Sequence, residues 1–591
     1  MGGTPTLLEF SSRFRFSSPA RAAALALALL AAPVLLINQA SAVTYTWSGN
    51  TSGSWSTTTN WSGGAAPTAA NTTDVIISGT TNIGIMFLHV DRTIKSLTFD
   101  ASNDGATQIQ LGAGFTSAAA TRSLTFSSNS GNATLTVDAG STGDKTIQRT
   151  GSTIFSDVNL TSSLDIVHNG SGTLTFVDKT IIKGTGGITK SGTGTLIISG
   201  SNTYNGTTTI SAGTLQIGNV NALQNTTLDT GTSGAQAVTF SVAGANTYNI
   251  GAIQGGDDLA FGNNTIRVGS NNATTSFTGT LAGSGGSLTK NGTGTLTLSG
   301  ANTYNGTTTI NAGTIQIDHA NGLGAGGNIT FSGGGLKYGT GITQDLSSRI
   351  KNSGSAIRVD TNGESVTWGT AVDSTNSGGL TKNGTGTLTL SATNTYTGST
   401  TLNAGTLAVS GDIANSGLVI NSGGIISPGT SAAADSFGTS SITINGGGYN
   451  WTLSSANGSA GTDWDQITST GALTSSGLLT VNIYGTPGDW DGSANYSWDI
   501  FSANSVSGFS AGNFAYDLTN FGILAGNRTG DWAFTNSGGN IQLTYTAASG
   551  PVWAGGTGNW TTGFTTAPTN GASIAFTGAG GTATNDIPTG T

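Results

Sequence analysis

Cysteine is absent from this chain, which also has little histidine, proline, methionine or charge of either sign. Without a thiol there is no disulfide framework and no thiolate metal site, so stability has to come from packing alone. The same absence suits a chain that crosses a membrane unfolded. Nine prolines against 94 glycines exclude collagen, which needs both in abundance. Charged residues make up 8% of the chain and sum to −9, and basic stripes are missing, which argues against nucleic acid as a partner. His89, His168 and His319 stand far apart with no partner at metal-ligand spacing, and each reads as a surface or turn residue. No Gly-x-Ser-x-Gly elbow, phosphate loop or His-Glu-x-x-His pair occurs. Gly-x-Gly-x-x-Gly-like strings are expected by chance at this glycine content.

The chain is rich in Gly, Thr, Ser and Asn, with Val, Ile, Leu and Phe recurring in phase among them. That phase favours a packed core over low-complexity disorder. One stretch, from Gly285 to Ile317, is written three times, with copies starting at Gly186 and around Lys382. A half copy, His168 to Phe176, precedes the first. Repetition at such spacing marks stacked structural units.

Within the middle copy, Leu296 and Leu298 alternate with Thr295, Thr297 and Ser299, the period of a strand with one buried face. Thr308 and Ile310, then Ile315 and Ile317, continue the pattern. Asn291-Gly292, Asn305-Gly306 and Ala312-Gly313 supply corners, since Gly and Asn accept positive φ at little cost. Leu288 and Lys290 share a parity, so a straight strand turns the ammonium inward. The expectation is therefore a turn near Lys290 that leaves Lys190, Lys290 and Lys382 in water. Short strands, tight corners and no helical periodicity predict the rungs of a β-solenoid. Equivalent positions such as Asn202, Asn302 and Asn394, each two residues before Tyr204, Tyr304 and Tyr396, are expected to stack into side-chain ladders.

The ends differ from the middle. Residues 1–42 have the form of a secretory signal: Arg13, Arg15 and Arg21, then an apolar run from Ala22 to Ile37, then the small residues Ala40-Ser41-Ala42. Residues 43–120 open with Trp47, Trp55 and Trp61, which fit a cap over the first rungs better than an exposed sugar platform. The solenoid proper is expected over 121–410, and 411–548 holds Trp451, Trp464, Trp490, Trp498 and Trp532, as in wider rungs ending in a second cap. In 549–591 the spacing of Trp553 and Trp560 echoes the opening motif, as if a second module began there.

Acid clusters are few. Asp489, Asp491 and Asn495 loosely resemble a calcium loop but lack its terminal Glu. Asp463 and Asp465 have the spacing of a carboxylate pair, though two acids this close fit a solvated turn better. No residue is assigned a catalytic, cofactor-binding or metal-binding role, and no cofactor is implied.

The strings Gly378-Gly379-Leu-Thr-Lys-Asn-Gly-Thr-Gly-Thr-Leu-Thr-Leu390 and Gly306-Thr-Thr-Thr-Ile-Asn-Ala-Gly-Thr-Ile315 closely resemble the autotransporter-associated β-strand repeat, also called the passenger-associated transport repeat. The resemblance covers about 186–218, 286–318 and 378–410. It implies an all-β, right-handed parallel β-helix with aromatic-rich caps, exposed at the surface of a Gram-negative-type cell. It also implies a repeat that helps the passenger fold during translocation across the outer membrane. The translocation barrel of such proteins is not recognised in this sequence. The function implied is that of a structural or adhesive surface passenger meeting a host cell, matrix or glycan, and not an enzyme. A carbohydrate-binding or carbohydrate-active β-helix is the alternative.

Overall fold

The computed structural model describes residues 43–548, apart from 49–52, 69, 71, 80–83, 112–121, 150–155, 235 and 430–431, and four two-residue strands beyond Val552. The leader and the second-module motif lie outside the described residues, those four strands excepted. Apart from Val43, the described residues belong to one compact unit, Thr44–Thr591.

Strands account for almost every element, and the described residues contain no α-helix, only single turns of 3-10 helix such as Ser347–Arg349. The chain coils so that strands far apart in sequence lie side by side and parallel. Ala133–Val137, Leu164–His168 and Ile188–Ser191 are neighbours on a first wall. Lys145–Arg149, Thr173–Phe176 and Thr195–Ile198 are neighbours on a second. Ser123–Phe126, Ser156–Leu160 and Thr180–Gly184 make a third. Each turn of the chain lays one strand on each wall, which is the parallel β-solenoid expected from the repeats.

The alternation read from the sequence is the alternation of burial. Leu296, Leu298, Ile315 and Ile317 point inward and are buried, while Thr295, Thr297 and Gln316 face out. Stacking then places Leu296 over Ile315 and Leu298 over Ile317. Each fully buried aliphatic side chain of this kind contributes roughly 1.5–3 kcal/mol relative to exposure.

Beyond Gly184 the third wall loses its regular strands. Residues 199–207 of the first repeat form none, and the copies near 299–307 and 391–399 are nearly as irregular. Rungs are short here, Leu288 pairing with Thr308 20 residues later. Toward the C-terminal end they widen. Asn482 reaches back 32 residues to Asn450, and Thr474 contacts Ser507 33 residues ahead. Parallel order ends at Asn540–Thr546, which runs antiparallel to both Tyr496–Ser502 and Asp531–Ser537.

Trp47, Trp55 and Trp61 pack against one another at the first strands. Their ring centroids lie 5.0 and 5.1 Å apart, edge to face, and Trp61 Nε1 donates to Trp55 O at 2.8 Å. All three are buried, so none offers the open ring face that a sugar platform needs.

Candidate functional site

The strand Ser287–Lys290 carries straight through Lys290, and the turn follows at Asn291–Gly294. The parity of Leu288 and Lys290 is therefore realised in full and the ammonium lies inside. Lys190, Lys290 and Lys382 are 0–1% exposed, which overturns the expectation that they stand in water.

The reason lies in the carbonyls of the corner. A tight turn points several C=O groups inward, where no strand can pair them, and an unpaired buried carbonyl is costly. Lys190 Nζ donates to Ser191 O (2.9 Å), Gly192 O (2.8 Å) and Ala212 O (3.2 Å). Lys290 makes the same bonds to Asn291 O, Gly292 O and Ala312 O, and Lys382 to Asn383 O, Gly384 O and Ala404 O. Two acceptors belong to the lysine's own corner and the third to the corner of the next rung, 22 residues on. Burial drives each ammonium down to about 8, while the carbonyl dipoles aimed at Nζ favour its charged form.

The Ala-Gly pair of the motif follows from the same geometry. Gly313 has φ +62°, and a Cβ there would stand 2.4–2.5 Å from Gly294 O and Gly292 O and 2.9 Å from Lys290 Nζ. Gly213 and Gly405 are identically confined. No side chain fits between the ammonium and the turn it serves.

Asn202, Asn302 and Asn394 replace the missing third-wall strand. Asn302 Oδ1 accepts from Leu281 N at 2.7 Å and its Nδ2 donates to Gly322 O at 2.6 Å, so one amide bridges the rungs on either side. Asn202 does the same between Ile182 N and Ala222 O. Asn394 accepts from Val372 N at 2.9 Å, with its amide donor directed to Ala392 O. Two residues further on, the buried hydroxyls of Tyr204, Tyr304 and Tyr396 meet those of Thr208, Thr308 and Thr400, each at 2.7 Å. Burial raises all three phenols well above their ordinary value, so they stay neutral.

Other residues singled out by the sequence are scattered. His168 is fully buried, not a surface residue, and its ring faces the backbone of Gly172. In sequence it is the half copy's counterpart of Lys190, although in strand register Ile166 is the residue that lies against Lys190. Burial, then the nearby Lys190, pushes its imidazole down to about 4. His89 stacks on Phe87, and His319 Nδ1 accepts from Asn321 N. Asp463 caps a turn by accepting from Ser459 N, but Asp465 is buried, contrary to the solvated-turn reading for both. Its two oxygens accept from Asp435 N at 2.7 Å and Thr452 N at 2.8 Å, and burial raises its carboxyl to about 8. Asp489 takes hydrogen bonds from Ser455, Ala456 and Asn457, whereas Asn495 Oδ1 takes one from Ala547 N. The oxygens of the calcium-like string thus turn to separate partners.

Sequence reading passes over Lys145, whose Nζ lies within reach of Asn103 O, Gly105 O, Thr142 O and Gly143 O. It lies outside the repeats, and only the glycine-rich run Gly140–Gly143 before it hints at a corner. Arg349 escapes notice as well; its guanidinium donates to Gly327 O, Gly324 O and Leu323 O.

Residues 188–217, 288–317 and 380–409 match the passenger-associated-transport-repeat. Each match starts at the strand that carries the lysine and ends after the corner that supplies its last acceptor. An alignment of 291 residues is 32% identical to the adhesin BmaC autotransporter of Brucella suis biovar 1 (strain 1330). It takes in 42% of this chain and 8% of that protein, so the chain spans less than a tenth of the relative's length.

Proposed function

We propose that this chain is an autotransporter passenger region, exported and held at the outer surface of the cell as a non-catalytic adhesive segment. Its three repeats serve to close and stack rungs while the chain crosses the outer membrane. Residues 1–42 act as the export signal. The aromatic groups of 43–120 and 411–548 close the two ends of the stack, and a further module starts within 549–591.

The observation that carries this reading is where the repeat spends its polar side chains. Lys290, Asn302, Tyr304 and Thr308 are all turned inward to backbone or to each other, so the motif builds structure and leaves contact with partners to the outer Thr, Ser and Asn. The match to transport repeats and the relative named an adhesin support it. A catalytic reading gains nothing from the buried Lys and Asp groups, because their donors and acceptors are already used on the backbone.

The test is display on intact cells, read by surface labelling and external protease, for the natural gene and for a Lys190→Met, Lys290→Met, Lys382→Met triple variant. Loss of display and appearance of degraded chain in the variant are expected. A triple variant displayed like wild type overturns the folding role of the repeats. Cells that display the wild-type chain and attach to epithelial or matrix surfaces no better than cells without it overturn the adhesive role.

A further inference from the structure

Between the second and third repeats the stack steps sideways. Thr295–Leu298, Thr314–Ile317 and Gly335–Tyr338 follow one another on the second wall. The next neighbour, Ile357–Asp360, then pairs onward with Leu380–Asn383, which in the third repeat is the counterpart of the first-wall strand Ser287–Lys290. Leu336 and Val359 stay inside across this step and are buried. Outside, the step opens a groove of about 610 Å³.

The groove is lined by the backbone of Gly333–Gly335 and by Thr295, Thr314, Gln316, Asn383 and one acid, Asp360. Lys337 and Arg358 stand in it as diagonal neighbours, with Gly335 presenting no side chain opposite Arg358. Many cations elsewhere in this acidic protein are spent. Lys183 and Lys351 form ion pairs with Asp157 and Asp373, while Lys145, Lys190, Lys290, Lys382 and Arg349 serve backbone carbonyls. Among the described residues, Lys337 and Arg358 find no hydrogen-bond acceptor and no ion-pair partner. Asp360, opposite Lys337 in register, turns its Oδ1 to Asn362 N at 2.8 Å.

We infer that this groove binds an acidic saccharide. Two unpaired cations side by side match carboxylate or sulfate groups, whose charge-assisted hydrogen bonds are the stronger kind. Hydroxyl and amide side chains with open glycine backbone match sugar hydroxyls. Among the described residues no apolar or aromatic side chain opens into the groove to anchor a peptide, since Leu336 points inward. The inference deepens the adhesive reading and rests on it, by naming the chemistry that adhesion uses.

The experiment measures binding of the purified full chain to polygalacturonate, to heparin and to neutral dextran of similar length. Binding to polygalacturonate, heparin or both is expected, falling as salt rises from about 50 to about 200 mM, with little to dextran. The Lys337→Gln, Arg358→Gln double variant should bind at least tenfold more weakly. The charge-keeping Lys337→Arg, Arg358→Lys variant should retain binding, which separates lost charge from lost fold, and Lys183→Gln with Lys351→Gln should stay within twofold. Wild type that binds neither acidic chain, or a double variant that binds as well as wild type, overturns the site. Loss of glycan binding with cell attachment intact removes the groove from adhesion and leaves the adhesive reading standing. Attachment absent with glycan binding intact does the reverse.

Discussion

The three repeats and the stretch from Ile413 to Thr546 solve one problem in two ways. In the repeats a rung takes about 20 residues, its interior is narrow, and the corner is filled by a lysine stem ending on three carbonyls. In the later stretch a rung lengthens from 24 residues at Leu418 to 31 at Ile442 and more beyond, and the wider interior is filled by Trp451, Trp498, Tyr449 and Phe501, which pack in pairs 5.1–5.6 Å apart. There the buried ionisable group is Asp465, whose carboxyl oxygens accept from backbone N–H groups, the counterpart of lysines that donate to C=O groups. Interior volume decides between them: a single aliphatic stem fills a narrow corner, and paired aromatic rings fill a wide one.

The comparison is broken first where the most volume is removed. Trp498→Ala should cost about 3–5 kcal/mol, read from the denaturant midpoint. A cost below that of Leu298→Ala would mean the wide rungs do not depend on their rings. Lys290→Met keeps the stem and removes the donors, leaving Asn291 O, Gly292 O and Ala312 O without their partner. It should cost about 3 kcal/mol, far more than an exposed lysine would, and a loss under about 0.5 kcal/mol would return the lysine to the surface.

A third effect comes with acid. His168 has a folded pKa of about 4, below its usual 6.5, so the unfolded chain takes up the proton first. Its contribution is complete above pH 6.5 and is lost as pH falls toward 4, by about 2–3 kcal/mol. His168→Gln should flatten urea stability across that window, and an unchanged slope would show that the imidazole is not buried neutral. The smallest effect belongs to the outer file Asn383, Asn403, Asn421 and Asn445, where each amide donates to the one before it at 2.8–3.0 Å. This exposed ladder runs from the third repeat into the wide rungs, and Asn421→Ala should cost less than about 1 kcal/mol. A larger loss would make the outside of the stack as important as its interior.

The strands are readable from the sequence because burial follows a period of two, and Leu296 to Ile317 needs no more than that. The corners are readable as Gly and Asn pairs. The direction of Lys290 is readable too, since its parity with Leu288 places it inside. What local sequence withholds is the acceptors that a buried ammonium needs, because one of the three is contributed 22 residues later by a neighbouring rung. The same non-local partners hide the roles of Asn302, Tyr304 and Asp465, whose bonds join segments no window of sequence brings together. His168 is the missed opportunity: the half copy aligns it with Lys190, and that alignment with the parity of the strand puts it indoors.

The corner lysine also marks position. A stack of Thr-Leu-Thr-Leu strands can slide by two residues and still turn every leucine inward, so apolar packing separates such alignments poorly. Slid by two, Lys290 would face another strand's side chain in place of Ala312 O, and the ammonium would sit buried without its third acceptor. In a chain that writes nearly the same sentence three times, these lysines tell each rung which neighbour is the right one.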